Sequence, residues 1–220
     1  MDIARKNNLK RIIRCSQIMG REESDELSAA QIFYPCMQCA DIFFLNADIC
    51  QLGVDQRKVN MLAREYCDEC KPKRRKPVIL SHRMMPGLLQ GQEKMSKSDP
   101  NSAIFMEDSA QEVKTKLKKA FCPPGEVEGN PCLEYIRSIT FPWFGKFEVE
   151  RSEQNGGSKT YTCMEELEAD YTSGALHPGD LKAALATAIN TIIQPVRDHF
   201  ETDKNAKALL KRVRGYKTTR

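Results

Sequence analysis

Two lysines three residues apart, Lys94 and Lys97, have the clearest potential for chemistry in this sequence. They lie in QEKMSKSDPN, residues 92–101, which ends in a turn signal. Two ammonium groups on a flexible loop can close over a triphosphate and neutralise charge on a leaving pyrophosphate. A lysine pair by itself is more typical of a solvent-exposed loop, so the rest of the chain must decide between these interpretations.

A second set of candidate residues follows helical spacing. Tyr34, Gln38 and Asp41 in YPCMQCAD are four and three residues apart, which places them on one face of a helix. Polar groups on an otherwise apolar helix need partners when they are buried. Either they form structural hydrogen bonds, or they line a pocket for a small polar ligand in which Asp41 accepts a hydrogen bond from a hydroxyl.

The elements that would position these residues alternate as strand, helix and strand. Residues 47–53 are typical of a short strand, residues 54–67 of an amphipathic helix, and residues 77–84 of a strand whose continuous apolar run suits a buried parallel sheet. This order predicts half of a doubly wound α/β domain, in which ligands bind beyond the carboxyl ends of the strands. The lysine loop at 92–101 follows the second strand.

Gly53, Asp55 and Gln56 follow the first strand, where a ribose or an amino group would lie. Asp55 is also placed to cap the helix that begins there. No GxxxxGK[ST] or GxGxxG motif occurs in the chain, which argues against a P-loop or a standard dinucleotide site.

Patterns on either side of this unit complete the predicted organisation. Residues 27–45 predict a helix, a break at Pro35 and a second apolar helix. A mainly helical second domain is predicted after a boundary near residue 108. Its predicted elements are a Ser-capped helix at 109–121, a hairpin within 144–163 that turns at Asn155-Gly156-Gly157, and a long helix at 177–200 with Asp180 in its first turn.

The composition of the 220 residues, with 40% apolar and 29% charged side chains, is that of an ordinary globular protein. No apolar run approaches the roughly 18 residues of a membrane span, and the first residues have no signal-peptide pattern. We therefore expect a cytoplasmic protein without a membrane partner. The formal net charge of +4 is unevenly distributed, because 71–76 and 207–220 are strongly basic. These stretches are either solvated surfaces or a footprint for a polyanion such as RNA.

Nine cysteines without an export signal favour reduced thiols over a disulfide framework. Two CxxC pairs, Cys36/Cys39 and Cys67/Cys70, have the spacing of zinc ligands, although their surroundings are apolar and lack glycine-rich knuckles. Buried or spare thiols are the favoured interpretation, and no protein-bound metal is predicted.

The motifs together resemble one family. KMSKS at 94–98 after HRMMPGLLQGQE, together with YPCMQCADI and GVDQRK, closely resembles class I tyrosyl-tRNA synthetases of the eukaryotic and archaeal cytosolic type. HPGDLKAALATAINTIIQPVRDHF is similar to the anticodon-binding domain of that family, so the resemblance runs essentially from end to end. It implies an ATP-dependent tyrosine–tRNA ligase with a partial Rossmann-like catalytic domain at 1–108 and a helical anticodon-binding domain at 109–220.

The resemblance also implies roles for individual residues. In the ATP-binding set, Gly53 and Asp55 would meet the ribose, and Met84 and Met85 would meet the adenine. The phosphates would be held by Lys94, Ser96, Lys97 and Ser98. Lys94 and Lys97 would be the catalytic pair, and Mg²⁺ would enter with ATP. The set for tyrosine would be Tyr34, Gln38, Gln56 and, at the hydroxyl, Asp41. Asp180 would read the first anticodon base of tRNA(Tyr), and segment 1–22 would pack a homodimer.

Two departures from the family pattern are informative. The His-x-Gly-His signature is missing, so the chain resembles the C-terminal portion of a synthetase, and we expect it to be inactive alone. Asn155 stands where the family places an aromatic that stacks on an anticodon base, a contact worth roughly 1–3 kcal/mol. Two alternatives stay open: a non-catalytic tRNA-binding or regulatory module, and a tryptophan-specific relative, against which Asp41 and DQRK argue.

Overall fold

The computed structural model of the chain describes residues 1–16, 26–92, 95 and 99–216. The chain forms two compact units, residues 1–84 and residues 85–220. Each unit has its own apolar core. Among the described helices, none has the length and apolar character needed to cross a membrane.

The first unit begins with three helices: α1 (Asp2–Arg5), α2 (Leu9–Ser16) and α3 (Ala29–Phe44). Helix α3 starts with a capping box, in which Ser28 accepts from the backbone of Gln31 and the Gln31 side chain accepts from the backbone of Ser28. The predicted break at Pro35 is wrong, because α3 continues through it. Pro35 is buried with Cys36 and Cys39 against the core, so packing outweighs the roughly 3 kcal/mol that proline costs inside a helix.

A strand–helix–strand unit follows, as predicted. Strand β1 (Ile49–Gly53) leads through a 3₁₀ turn (Val54–Gln56) into α4 (Arg57–Glu69), and strand β2 (Val78–His82) returns parallel to β1. The expectation that Asp55 caps the helix is wrong, since Gln56 is the residue before its first turn and makes no side-chain cap bond.

The two parallel strands are only partly covered within the described chain. Cys50 of β1 is buried in the first core, but Ile49, Val78 and Leu80 expose 61%, 52% and 50% of their surface. Parallel strands are normally covered on both faces, and the continuous apolar run of β2 predicted such burial. An apolar strand surface of the first unit is therefore open to solvent in this structure.

The second unit combines helices with a short hairpin. Its elements are α5 (Ala110–Lys119), α6 (Pro131–Tyr135), a π-helical turn (Ile136–Thr140), α7 (Phe141–Phe144), β3 (Phe147–Val149), β4 (Lys159–Tyr161), α8 (Met164–Ser173), α9 (Pro178–Thr202) and α10 (Lys204–Arg214). The Ser109 cap of α5, the antiparallel hairpin and the long helix α9 agree with the sequence-based expectations.

The division between the units falls at residues 84 and 85, whereas the sequence predicted a boundary near 108. The physical reason is Leu88, which is fully buried in the core of the second unit. The Leu88 backbone N–H donates to the carbonyl of Ser102 at 2.9 Å, and its carbonyl accepts from Phe121 at 2.7 Å. These contacts tie the segment before residue 108 to the helices that follow it.

Candidate functional site

A chain of side-chain hydrogen bonds joins α3 to the turn after β1 in the first unit. Gln38 Nε2 donates to Gln56 Oε1 at 2.6 Å, and Gln56 Nε2 donates to Asp55 Oδ2 at 2.8 Å. The two glutamines are 18 residues apart, and both are half-buried. The structure thus brings together predicted site residues that lie on separate elements.

The free end of this chain is the Gln38 carbonyl. Gln38 Oε1 is buried and has no hydrogen-bond partner in the described part of the chain. A buried acceptor without a donor costs about 1–3 kcal/mol, so the position favours a ligand that donates, such as an ammonium group. Tyr34 lies one turn before Gln38 and Asp41 nearly one turn after it, and both are exposed. The predicted polar face therefore exists, and it reaches the surface.

The side chains of Asp55 and Met84 lie close to Gly53 at the end of β1. A Cβ added to Gly53 would lie 2.6 Å from Asp55 Oδ1 and would collide with the sulfur of Met84. Gly53, Asp55 and Met84, the first-unit residues implied for ribose and adenine, are therefore neighbours.

The other residues of the predicted ATP set are placed differently. Met85 belongs to the second unit and packs partly buried against its core. The catalytic candidates Lys94 and Lys97, together with Ser96 and Ser98, lie outside the described residues. Met95, between them, is described, and its sulfur accepts from the hydroxyl of Tyr135 at 3.6 Å.

In the second unit, the start of α9 carries the predicted RNA-reading residue. His177 caps the helix, since its Nδ1 accepts from the backbone N–H of Gly179 at 3.0 Å. Pro178 occupies the first turn, where a missing N–H costs nothing, and Asp180 follows in the same turn. The prediction that Asp180 lies in the first turn of this helix is confirmed.

A basic groove of about 720 Å³ adjoins this helix start. Lys114 and Lys118 of α5 and Lys182 of α9 line it together with His177. Lys182 Nζ donates to the carbonyl of Lys118 at 3.2 Å, which joins the two helices. These lysines were not among the residues predicted from the sequence. The i, i+4 spacing of Lys114 and Lys118 was the available signal, but their proximity to α9 depends on the tertiary fold.

Asn155 lies in an exposed 3₁₀ turn of the hairpin. Gly156 and Gly157 follow with φ of 95° and 69°, a conformation that favours glycine. The guanidinium of Arg151 donates to the Gly157 carbonyl at 2.7 Å and so holds the turn. The turn presents an amide side chain at this position, where the family pattern has an aromatic ring.

Three cysteines of the two CxxC pairs, Cys36, Cys39 and Cys70, lie in the core of the first unit, and all four thiols of the pairs are free and buried. Burial raises the pKa of the Cys39 thiol to about 12. Across the described ranges, no group of three or more metal-binding side chains has a suitable arrangement.

Comparison with known proteins gives a consistent result. The family model for class I tRNA synthetases (W and Y) matches residues 1–194. The chain is 70% identical over all its 220 residues to cytoplasmic tyrosine–tRNA ligase 1 of Arabidopsis thaliana, and 66% identical to cytoplasmic tyrosine–tRNA ligase 2. It spans 57% of the first relative and 29% of the second.

Solved structures are similar as well. A Leishmania major tyrosyl-tRNA synthetase in complex with tyrosinol is 44% identical with a TM-score of 0.84, and the match covers 99% of this chain and 39% of that one. The Pyrococcus horikoshii enzyme complexed with L-tyrosine is 36% identical with a TM-score of 0.82, covering 96% and 63%. A tryptophanyl-tRNA synthetase from Aeropyrum pernix, at 18% identity and a TM-score of 0.65, covers 93% and 53% and shares the fold.

Proposed function

Because the chain belongs to the class I tRNA synthetases of the tryptophan and tyrosine group, we propose that it acts as part of a tyrosine–tRNA ligase. The reaction would join tyrosine to ATP as tyrosyl-adenylate with release of pyrophosphate, and would then transfer tyrosine to tRNA(Tyr). The 70% identity to a cytoplasmic tyrosine–tRNA ligase supports tyrosine as the amino acid and the cytoplasm as the location.

The observation that carries this proposal is the unpaired Gln38 carbonyl at the end of the Gln38–Gln56–Asp55 chain. In the proposed complex, Gln38, Gln56 and Tyr34 hold the ammonium end of tyrosine. Asp41 accepts a hydrogen bond from the tyrosine hydroxyl. Phenylalanine would leave that carboxylate without its partner in the complex, which is an effective way to reject it.

The nucleotide would bind beside the end of β1. Gly53 allows close approach of the ribose, Asp55 accepts from its hydroxyls, and the backbone around Met84 and Met85 meets the adenine. Lys94 and Lys97, with Ser96 and Ser98, hold the phosphates and stabilise charge on the leaving pyrophosphate. Mg²⁺ enters with ATP. Catalysis then rests on positioning and charge stabilisation, and the protein supplies no covalent nucleophile.

The second unit would bind the anticodon region of the tRNA. Asp180 pairs with the N1–H and N2–H edge of guanine at the first anticodon position. Lys114, Lys118 and Lys182 offer three cations to nearby phosphates, which supports RNA over a neutral ligand for this groove. Asn155 has an amide where the family pattern has an aromatic ring, so we expect weaker stacking on an anticodon base at this position. The domain roles at 1–108 and 109–220, and a homodimer formed through segment 1–22, belong to the same proposal.

The test is a chimera in which this chain replaces the 220 matching residues of the Arabidopsis ligase. Exchange of labelled pyrophosphate into ATP should depend on tyrosine and not on tryptophan. The Asp41→Asn variant should lose discrimination against phenylalanine. We expect the chain alone to show no exchange, because it contains no His-x-Gly-His motif. Tryptophan-dependent exchange by the chimera would overturn the proposed substrate, and exchange by the chain alone would overturn its dependence on the rest of the enzyme.

The closed core of the second unit favours a second candidate function, a non-catalytic tRNA-binding module. This candidate predicts salt-sensitive tRNA binding by the chain that weakens in Asp180→Ala, without any adenylate formation by the chimera. Exchange activity of the chimera therefore separates the two candidates.

A further inference from the structure

One strongly charged segment has no role in the proposed enzyme. Residues 71–76, KPKRRK, connect α4 to β2 in the first unit and are called the basic loop here. Five of its six residues are cationic, and all six are exposed. A run of this kind is either a solvated surface or a contact for a polyanion, and the structure contains three observations that decide between them.

First, the backbone of the basic loop is held in place. The N–H of Arg74 donates to the Cys67 carbonyl at 3.3 Å, and the Cys67 thiol donates to the Arg75 carbonyl at 3.5 Å. Just after the loop, Arg64 Nη1 donates to the Pro77 carbonyl at 2.5 Å. The cations therefore project from a fixed backbone, which reduces the ordering cost of binding.

Second, the acidic neighbours neutralise only part of the charge. Lys76 pairs with Asp68 at 2.6 Å, and Arg75 lies 3.8 Å from Asp48 with both side chains mostly exposed, so this second pair is weak. Neither Lys71, Lys73 nor Arg74 forms an ion pair with any carboxylate that the structure describes. Three cations on a fixed backbone thus remain available.

Third, the Arg74 guanidinium lies over the ring of Phe43, 5.2 Å from its centroid, and lines a groove of about 370 Å³. Asn46, Asp48 and Arg75 also line this groove. Guanidinium groups bind phosphates bidentately, and contact with the Phe43 ring holds the Arg74 guanidinium at this groove.

We propose that the basic loop is a second RNA contact surface, which binds the phosphodiester backbone. It lies in the first unit, whereas the groove at α9 that the proposed function assigns to the anticodon belongs to the second. The identity of the RNA as tRNA rests on the proposed function, but the contact itself is independent of sequence. Backbone contacts position an RNA without reading its bases.

The test compares Lys73→Gln/Arg74→Gln with a matched control in the full 220-residue chain. Arg57→Gln/Lys58→Gln lowers the formal charge by the same amount, at exposed residues of the same unit outside both the basic loop and segment 1–22. Fluorescence anisotropy with a labelled tyrosine tRNA transcript, a non-tyrosine tRNA and polyuridine, each at several KCl concentrations, gives the affinity and its salt dependence. Circular dichroism checks that every variant is folded.

We expect the loop variant to weaken binding of all three RNAs by about the same factor. The slope of log K against log salt should fall by roughly 0.7–0.9 for each phosphate that the variant no longer neutralises, and the control should retain the wild-type slope. Equal slopes for the loop variant and the control would overturn the proposal. The proposal would also be overturned if the loop variant bound polyglutamate more weakly but bound RNA as the wild type does. That result would assign the basic loop to an acidic protein partner.

Asp180→Ala separates this inference from the proposed function. If wild type does not prefer the tyrosine tRNA and Asp180→Ala has no effect, the proposed anticodon site fails while a loop effect on every RNA still stands. If Asp180→Ala weakens only the tyrosine tRNA and the loop variant behaves as the control, the basic loop fails and the proposed function stands.

Discussion

The two compact units of this chain differ in how they bury apolar and polar groups. In the second unit, Tyr161, Leu181 and Leu185 are completely buried, and the buried Lys116 is paired with Asp108 at 2.5 Å. In the first unit, apolar residues of both strands are half exposed. There Asn60 has no partner for either polar side-chain atom among the described residues.

This difference indicates two kinds of stability. A core that closes on itself supplies its own folding free energy. A parallel strand pair with an open apolar surface gains full stability only when further structure covers it. We therefore regard the second unit as self-sufficient and the first as a partial domain, and four experiments examine this view.

The largest effect is expected in the second core. Leu185→Ala should lower the free energy of unfolding by about 2–5 kcal/mol, because it leaves a cavity in close packing. Urea unfolding followed by tryptophan fluorescence measures this directly, since Trp143, the single tryptophan, lies in the second unit.

The matched change in the first unit is Leu80→Ala, at a half-exposed position of β2. It should cost below about 1 kcal/mol, as surface substitutions do. Alkylation of the buried Cys39 thiol in urea reports unfolding of that unit. An equal cost for the two leucines would remove the proposed difference between the units.

The next effect concerns the buried ion pair. Lys116→Met should destabilise the second unit by about 3 kcal/mol, because it leaves the Asp108 carboxylate buried without its cation. Asp108 Oδ2 keeps one donor, the N–H of Phe105 at 2.9 Å. Adding Asp108→Asn should recover part of the loss in the same fluorescence assay. If the double variant is no more stable than the single one, the pair is not the source of the cost.

A smaller effect should depend on pH. The Lys159 ammonium and then the Tyr161 hydroxyl hold the pKa of Asp170 below its ordinary value, at 2.7 and 2.8 Å. Because the pKa of Asp170 is lower in the folded state, its contribution to the free energy of unfolding is complete above the ordinary carboxyl pKa of about 3.9. This contribution is lost as the pH falls through the pKa of the folded state.

Asp170→Asn should therefore flatten the acid side of the stability curve of the second unit, by below about 1 kcal/mol because the group is partly exposed. Unfolding midpoints measured from about pH 2 to about pH 6, on both sides of the ordinary carboxyl pKa, test this. Glu165→Gln, at an exposed position on the same helix, is the control. Identical curves for the two variants would contradict the assignment.

The smallest effect on stability should be at the proposed amino-acid site. Gln56→Ala should change the free energy of unfolding of the first unit by about 0.5 kcal/mol or less. In the chimera it should raise the KM for tyrosine about tenfold or more, because it removes support for a hydrogen bond to a charged group. A large loss of stability with an unchanged KM would make the amide chain structural.

Local patterns predicted the elements of both units, while long-range contacts limited the rest. Spacing and capping are local signals, so the sequence predicted the β1–α4–β2 order, the Ser109 cap and the start of α9. The predicted break at Pro35 was wrong because burial of that residue outweighs its local preference. The compact units divide between residues 84 and 85, whereas a boundary near 108 was predicted, because Leu88 packs against helices that follow it in sequence.

The candidate site divides in the same way. Helical spacing placed Tyr34, Gln38 and Asp41 on one face, but the Gln38–Gln56 hydrogen bond joins residues 18 positions apart and has no local signature. The lysine groove beside α9 likewise depends on the packing of α5. The family resemblance supplied functional roles that spacing alone left open.

The pairing of β1 with β2 has a consequence for how the chain folds. Ile49 pairs with Val78 across the whole of α4, whereas Val149 pairs with Lys159 across one short turn. Loop closure over the longer distance is slower, since more chain entropy is lost before any contact forms. During synthesis the first unit leaves the ribosome first, yet we expect its strands to pair late, so a chaperone would meet their exposed apolar residues before the hairpin of the second unit exists.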